Sequence, residues 1–231
     1  MQLLIVSTST VYGQPYLSYL DEEILDFFKA KKHILFIPYA RPSGLSWDDY
    51  TSKAAEKFTS LGFEMRGVHT FDSHTEALAW AEGVFTGGGN TFLLLKTIYD
   101  TGLFTLLDDA VKNGLPYMGT SAGCNITGMS IGTTNDMPIV YPPSFDAFGW
   151  VPFNLNPHYL DPAEGSTHMG ETREQRIAEF HHFNSQPVVG LREGSWLRVD
   201  KNKIALNGKL TARVFKAGQA PLEVMSGEFK I

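Results

Sequence analysis

Leu115-Pro116-Tyr117-Met118-Gly119-Thr120-Ser121-Ala122-Gly123 is the stretch on which the fold turns. A short apolar run ends in a Gly-x-Ser-x-Gly turn, and a helix-like segment follows. A tight strand-to-helix turn of this kind holds a serine hydroxyl out from the chain, and its glycines let the backbone pass where a Cβ would clash. Ser121 is therefore a candidate nucleophile at the carboxyl end of a strand.

A second cluster, Gly87-Gly88-Gly89-Asn90-Thr91, has the same setting, between a strand-like run at 83–86 and a helix-like one at 92–99. Backbone N–H groups in a Gly-rich turn at a helix start can point at an anion, as an oxyanion hole requires. The plainer alternatives are a phosphate cradle or an ordinary strand-end turn. No Lys-[Ser/Thr] follows the glycines, so this is not a P-loop.

Outward from these turns, apolar runs at 3–7, 34–38, 63–68, 84–86 and 117–119 alternate with helix-like segments. That alternation implies an α/β fold with a parallel sheet flanked by helices. Leu17, Leu20, Ile24, Phe27 and Phe28 recur at helical spacing, and segments 47–61 and 74–81 each stop at a glycine, Gly62 or Gly83. Residues 128–165 are broken by six prolines, although 151–154 is strand-like. Thr172-Arg173-Glu174-Gln175 reads as a capping box opening a helix to about Phe183, and 188–191 as a strand. Short runs at 196–199, 203–206, 210–215 and 222–225, with turn signals between them, predict C-terminal antiparallel strands. In open α/β sheets the site lies outside the carboxyl ends of the parallel strands, where both glycine motifs sit.

The 231 residues show no linker or composition break, so residues 1–231 are expected to form a single α/β domain. Hydrophobic residues make up 43% and charged ones 19%, enough for a sizeable core. A net charge of −6 disfavours nucleic-acid and anionic-membrane partners. The one basic cluster, Lys29, Lys31 and Lys32, complements a helix end. Cys124 is the only cysteine, so no internal disulfide can form and a reducing compartment is expected. The N-terminus reads as a first strand and not as a leader, which points to a cytoplasmic location. No His, Cys or carboxylate set has a recognised metal spacing, and neither metal nor cofactor is expected.

A serine hydroxyl needs a base, so the turn predicts a histidine within reach. His158, in Asn156-Pro157-His158-Tyr159 after a strand-like run, is the first candidate and His168 the next. For the acid that orients the imidazole, Asp136 in Thr133-Thr134-Asn135-Asp136-Met137-Pro138 and Glu193 after the 188–191 strand both qualify. Position does not separate them.

Gly87-Gly88-Gly89-Asn90-Thr91, Gly119-Thr120-Ser121-Ala122-Gly123 with Cys124-Asn125, Thr133-Thr134-Asn135-Asp136-Met137-Pro138, Asn156-Pro157-His158-Tyr159 and Gly170-Glu171-Thr172-Arg173 together resemble the peptidase E family of α-aspartyl dipeptidases. The resemblance spans nearly the whole chain. It implies a flavodoxin-like fold related to class I glutamine amidotransferases, hydrolysis of dipeptides with N-terminal Asp, Ser121 as nucleophile and His158 as base. For the third member it offers both Asp136 and Glu193. Glu193 is favoured as the partner of His158 by its strand-end position, and Asp136 is kept as the motif-based alternative. The oxyanion would face the N–H groups of Gly89 and Ala122, while Asn90 and Arg173 are the candidate substrate-binding residues. The implied partner is a small peptide, the assembly a monomer or homodimer. Two alternatives remain: a non-catalytic amidotransferase-like binding module, and a related peptidase acting on an Asp-containing polymer. The prolines and glycines of 143–170 would permit hinged motion over substrate.

Overall fold

In the computed structural model the five apolar runs of the first half become parallel strands β1 (Gln2–Val6), β2 (His33–Ile37), β3 (Glu64–Gly67), β4 (Gly83–Thr86) and β5 (Tyr117–Thr120). The structure describes residues 1–162, 165, 167 and 169–229. The parallel strands lie in the order β1-β5-β4-β2-β3. Counting β1 last, this is the 2-1-3-4-5 order of flavodoxin-like sheets. Beyond β1, strands β8 (Ser195–Asp200), β9 (Lys203–Gly208) and β12 (Gly227–Glu228) extend the same sheet antiparallel to eight strands.

Alternate residues of these strands face opposite cores, which is why the runs read as continuously apolar. Leu3, Ile5, Leu35, Ile37, Val84 and Tyr117 face one side with helices α3 (His74–Trp80), α4 (Thr91–Asp100) and α5 (Leu103–Lys112). Leu4, Val6, Phe36, Phe85 and Met118 face the other, against α1 (Asp21–Phe27) and α2 (Trp47–Ser60). Helix α5 was not foreseen, although Leu103, Leu107 and Val111, its buried residues, recur every fourth position.

The C-terminal half bears out the expected antiparallel strands and corrects the bounds of the strand before them. The strand expected at 151–154 is shifted to β6 (Asn154–Pro157). The antiparallel runs do not form one unit: β10 (Ala212–Phe215) and β11 (Leu222–Val224) join β7 (Val188–Leu191) and β6 in a second sheet, ordered β11-β10-β7-β6, with β6 and β7 parallel. This sheet packs Leu155, Val189 and Leu191 into the core shared with α4 and α5. The capping box opens α7 (Arg173–Phe180), which stops three residues short of the expected end. Of the segment considered as a lid, residues 163, 164, 166 and 168 lie outside the described residues, while 145–149 is hydrogen-bonded to Ile126, Gly128, Met129 and Ile131 and so is fastened down. No helix among the described residues is long and apolar enough to cross a membrane.

Arg192 ties the second sheet together. Its guanidinium forks onto Asp161 at 2.8 Å twice, onto Glu223 of β11 at 2.9 and 3.0 Å, and onto the Thr211 carbonyl before β10 at 2.9 Å. The Arg192 hydrogen bonds, with others from Thr211 and Arg213, hold the Glu223 carboxyl down at about 2 from its ordinary 4.5. A depressed carboxyl contributes stability that is complete above its unfolded value and lost as pH falls through its folded value. The melting temperature should fall between pH 4.5 and 2, and fall less in Glu223→Gln across that window; identical slopes in the two proteins would contradict the clamp.

Candidate active site

Ser121 follows β5 with φ 53° and ψ −108° and opens the short helix α6 (Ala122–Asn125). A non-glycine residue there is strained by about 1–3 kcal/mol, so the surroundings must impose it. The Ser121 N–H donates to the Val6 carbonyl of β1 at 3.1 Å. A Cβ on Gly119 would lie 2.2 Å from the Gly123 carbonyl oxygen, and one on Gly123 would lie 2.5 Å from that of Thr86. Both flanks of the turn therefore close only around glycine.

His158 follows β6 and is also left-handed, with φ 54°. Its N–H donates to Ser7 Oγ at 2.9 Å, and the Ser7 hydroxyl donates to the Leu191 carbonyl at 2.8 Å. The parallel register pairs Pro157 with Leu191, which brings the chain ends beyond β6 and β7 together. His158 Nδ1 lies 2.7 Å from Glu193 Oε1, and Nε2 lies 2.9 Å from Ser121 Oγ. A hydroxyl, an imidazole and a carboxylate thus form one hydrogen-bonded series, the arrangement that activates a serine for acyl transfer.

Asp136, the other candidate acid, is not beside the imidazole. Its Oδ2 accepts from the Thr91 N–H at 2.8 Å, the Thr91 hydroxyl at 2.6 Å and Thr134 Oγ1 at 3.2 Å, at the N-terminus of α4. A carboxylate is stabilised there by unpaired N–H groups and by the helix dipole. Its Oδ1 has no hydrogen bond among the described residues.

Asn90, the other candidate substrate-binding residue, caps α4. Its Oδ1 accepts from the Leu93 N–H at 3.0 Å and its amide donates to the Met137 carbonyl at 2.8 Å. Gly89, with φ 148°, passes so close to Ala40 that a Cβ would lie 2.2 Å from its carbonyl oxygen. The buried Tyr50 hydroxyl donates to the Gly88 carbonyl at 3.0 Å. A trans peptide directs its C=O and N–H oppositely, so this bond turns the Gly89 N–H away from Tyr50. Neither it nor the Ala122 N–H meets a protein acceptor among the described residues.

Arg173 is half-buried at the first position of α7 and forms no ion pair among the described residues. Burial and the nearby Arg176 push its pKa below the ordinary arginine value, while Asp136, Glu193 and Tyr159 pull it back up. It is a cation within the influence of the site carboxylates, with no ion pair to one among the described residues. Cys124 is fully buried in the core, where burial pushes its thiol up, away from nucleophilic duty. His168 lies outside the described residues.

Ser7 is the residue that sequence reading missed. Its signal was slight: a hydroxyl closing an apolar strand, fully buried, whose partners lie over 150 residues away.

The sequence pattern of Peptidase family S51 matches residues 3–207. A protein named peptidase E from Streptomyces coelicolor is 48% identical over 98% of this chain and 92% of its own length. A probable alpha-aspartyl dipeptidase of Drosophila melanogaster is 45% identical over 93% of this chain and 90% of its own. The crystal structure of a peptidase from an acI-B1 Actinobacterium has the same fold, with a TM-score of 0.73 at 18% identity over 99% of this chain and 96% of that one.

Removing the Ser7 hydroxyl would leave the His158 N–H without its partner, at a cost of about 1–3 kcal/mol that the imidazole can relieve only by leaving its strained position. Ser7→Ala should react with a fluorophosphonate at Ser121 at least about tenfold more slowly, with an unchanged circular dichroism spectrum. A labelling rate equal to that of the unaltered protein would show that Ser7 has no hold on the imidazole.

Proposed function

The chain belongs to peptidase family S51, and from that membership we propose that it is a serine-dependent exopeptidase hydrolysing dipeptides with an N-terminal aspartate. The observation that carries this reading is the Ser121–His158–Glu193 series, opening near an arginine, Arg173, that forms no ion pair among the described residues and a carboxylate, Asp136, whose Oδ1 has no hydrogen bond among them. The names of the Streptomyces and Drosophila relatives support the choice of substrate. The same series favours turnover over a non-catalytic binding module.

Ser121 Oγ attacks the carbonyl that follows the aspartate while His158 Nε2 takes its proton. Glu193 holds the imidazole by Nδ1 and stabilises the cation that forms. The oxyanion lies against the N–H groups of Gly89 and Ala122, each worth about 3 kcal/mol of barrier in such sites. His158 then gives its proton to the leaving amine, and water releases the aspartyl group from Ser121 by the reverse sequence. Arg173 pairs with the aspartate side chain and Asp136 Oδ1 with the free α-amino group. That leaves one cation and one anion for the two charges that distinguish an N-terminal Asp from other residues. The partner is a small peptide, and the single buried thiol of Cys124 suits a cytoplasmic location.

A panel of Asp-X, Glu-X and Asn-X dipeptides tests the reading with the unaltered protein, Ser121→Ala and Arg173→Gln. Cleavage should be confined to Asp-X, absent in Ser121→Ala, and reduced about a hundredfold or more in Arg173→Gln, the scale for an unpaired buried charge partner. Equal cleavage of Asp-X and Asn-X, or turnover surviving in Ser121→Ala, would refute it.

A further inference from the structure

Glu193 borders two spaces. Its Oε1 meets His158, and the same residue lines a cavity of about 500 Å³ with Val11, Tyr19, Trp196, Lys209 and Leu210. That volume is in the range of about 300–1,000 Å³ usual for small-molecule sites. The cavity sits on the same rim of the large sheet as the nucleophile. Val6 is paired with Thr120 on one side and with Trp196 on the other, so Trp196 is two strands from the Ser121 turn.

The groups assigned to the aspartyl half come from the opposite face. Asp136 sits at the start of α4, which packs on the same core as the second sheet, and Arg173 opens α7, whose Ile177 packs on Val188 of that sheet. Trp196 belongs with the core under α1 and α2. An acyl carbon held over Ser121 has the aspartyl part on one side and the leaving nitrogen on the other, where His158 protonates it. With Asp136 and Arg173 taking the first side, the second residue is directed past His158 and Glu193 to this cavity.

We propose that the cavity seats the second residue of the dipeptide, favours a bulky apolar side chain such as Phe or Leu, and receives its terminal carboxylate at Lys209. This rests on the function proposed above and adds the selectivity for the leaving residue. The chemistry of the walls suits that occupant. Val11, Trp196 and Leu210 supply apolar surface, and the Tyr19 ring lies 6.2 Å from that of Trp196. The Tyr19 hydroxyl is taken by the Thr8 carbonyl, so its ring is what remains to face a ligand. Lys209 is exposed and forms no ion pair among the described residues, whereas Glu193, the one acid of the lining, is engaged with His158.

The test is kcat/KM for Asp-Gly, Asp-Ala, Asp-Leu, Asp-Phe and Asp-Phe amide with the unaltered protein, Trp196→Ala, Leu210→Asp and Lys209→Gln. Asp-Phe should exceed Asp-Gly by about tenfold or more, the scale of selection by an apolar pocket. Trp196→Ala should shrink that ratio several-fold. Leu210→Asp, at a position 46% exposed and so safe for folding, should shrink it too. Lys209→Gln should raise KM for Asp-Phe more than for its amide. A ratio that is flat in the unaltered protein, or that both apolar-wall variants leave unmoved while all substrates fall together, would overturn the pocket and leave the aspartyl dipeptidase reading standing. Failure to cleave any Asp-X dipeptide would overturn both.

Discussion

Two adjacent residues at the end of β1 hold both strained backbones of the site. Val6 accepts the Ser121 N–H through its carbonyl, and Ser7 accepts the His158 N–H through its hydroxyl. Each left-handed non-glycine residue costs on the order of 1–3 kcal/mol, a large part of the 5–15 kcal/mol by which a domain is stable. Such conformations persist only where the surroundings over-determine them. Here the surroundings are a strand between β5 and β8 in an eight-stranded sheet, with its own N–H groups and carbonyls already paired. The nucleophile comes from that sheet and the imidazole from the second one. The Ser7 hydroxyl, bonded at once to His158 and to Leu191, is the joint between them.

The parts of the fold that were legible in the sequence are those decided locally. Four of the five parallel strands showed as apolar runs because both their faces are buried, β3 at the sheet edge being the exception, and the two glycine turns showed because no other residue fits where backbones touch. What was misread depends on distant neighbours. Strand β6 was placed too early because Val151 and Phe153 are core residues, while Asn154 and Asn156, the polar residues of the strand itself, are buried on partners such as Ser130 and Thr133. The last strands look alike as short alternating runs, and nothing in their period says that β8 and β9 extend one sheet while β10 and β11 build another.

The candidate site divides in the same way. Ser121, His158 and the glycines stand in recognisable local settings. The choice between Asp136 and Glu193 could not be made locally, since it turns on the Pro157–Leu191 register that brings two strand ends together. Asn90 shows the converse case. A conspicuous residue in a glycine motif caps a helix with its amide oxygen and holds the Met137 carbonyl with its amide N–H, a plain use of a residue type favoured at a helix start.

Charge gives the site its direction. The chain carries a net charge of −6, yet Arg173 stands half-buried under the influence of two carboxylates, Glu193 bonded to the imidazole and Asp136 bonded to Thr91, and forms no ion pair among the described residues. The most direct measurement is rapid-quench mass spectrometry of the protein mixed with aspartyl p-nitroanilide. An aspartyl adduct should accumulate on the peptide containing Ser121 and be absent in His158→Ala. Turnover at full rate with no adduct at Ser121, or an adduct on another residue, would contradict a serine held ready by the end of the first strand.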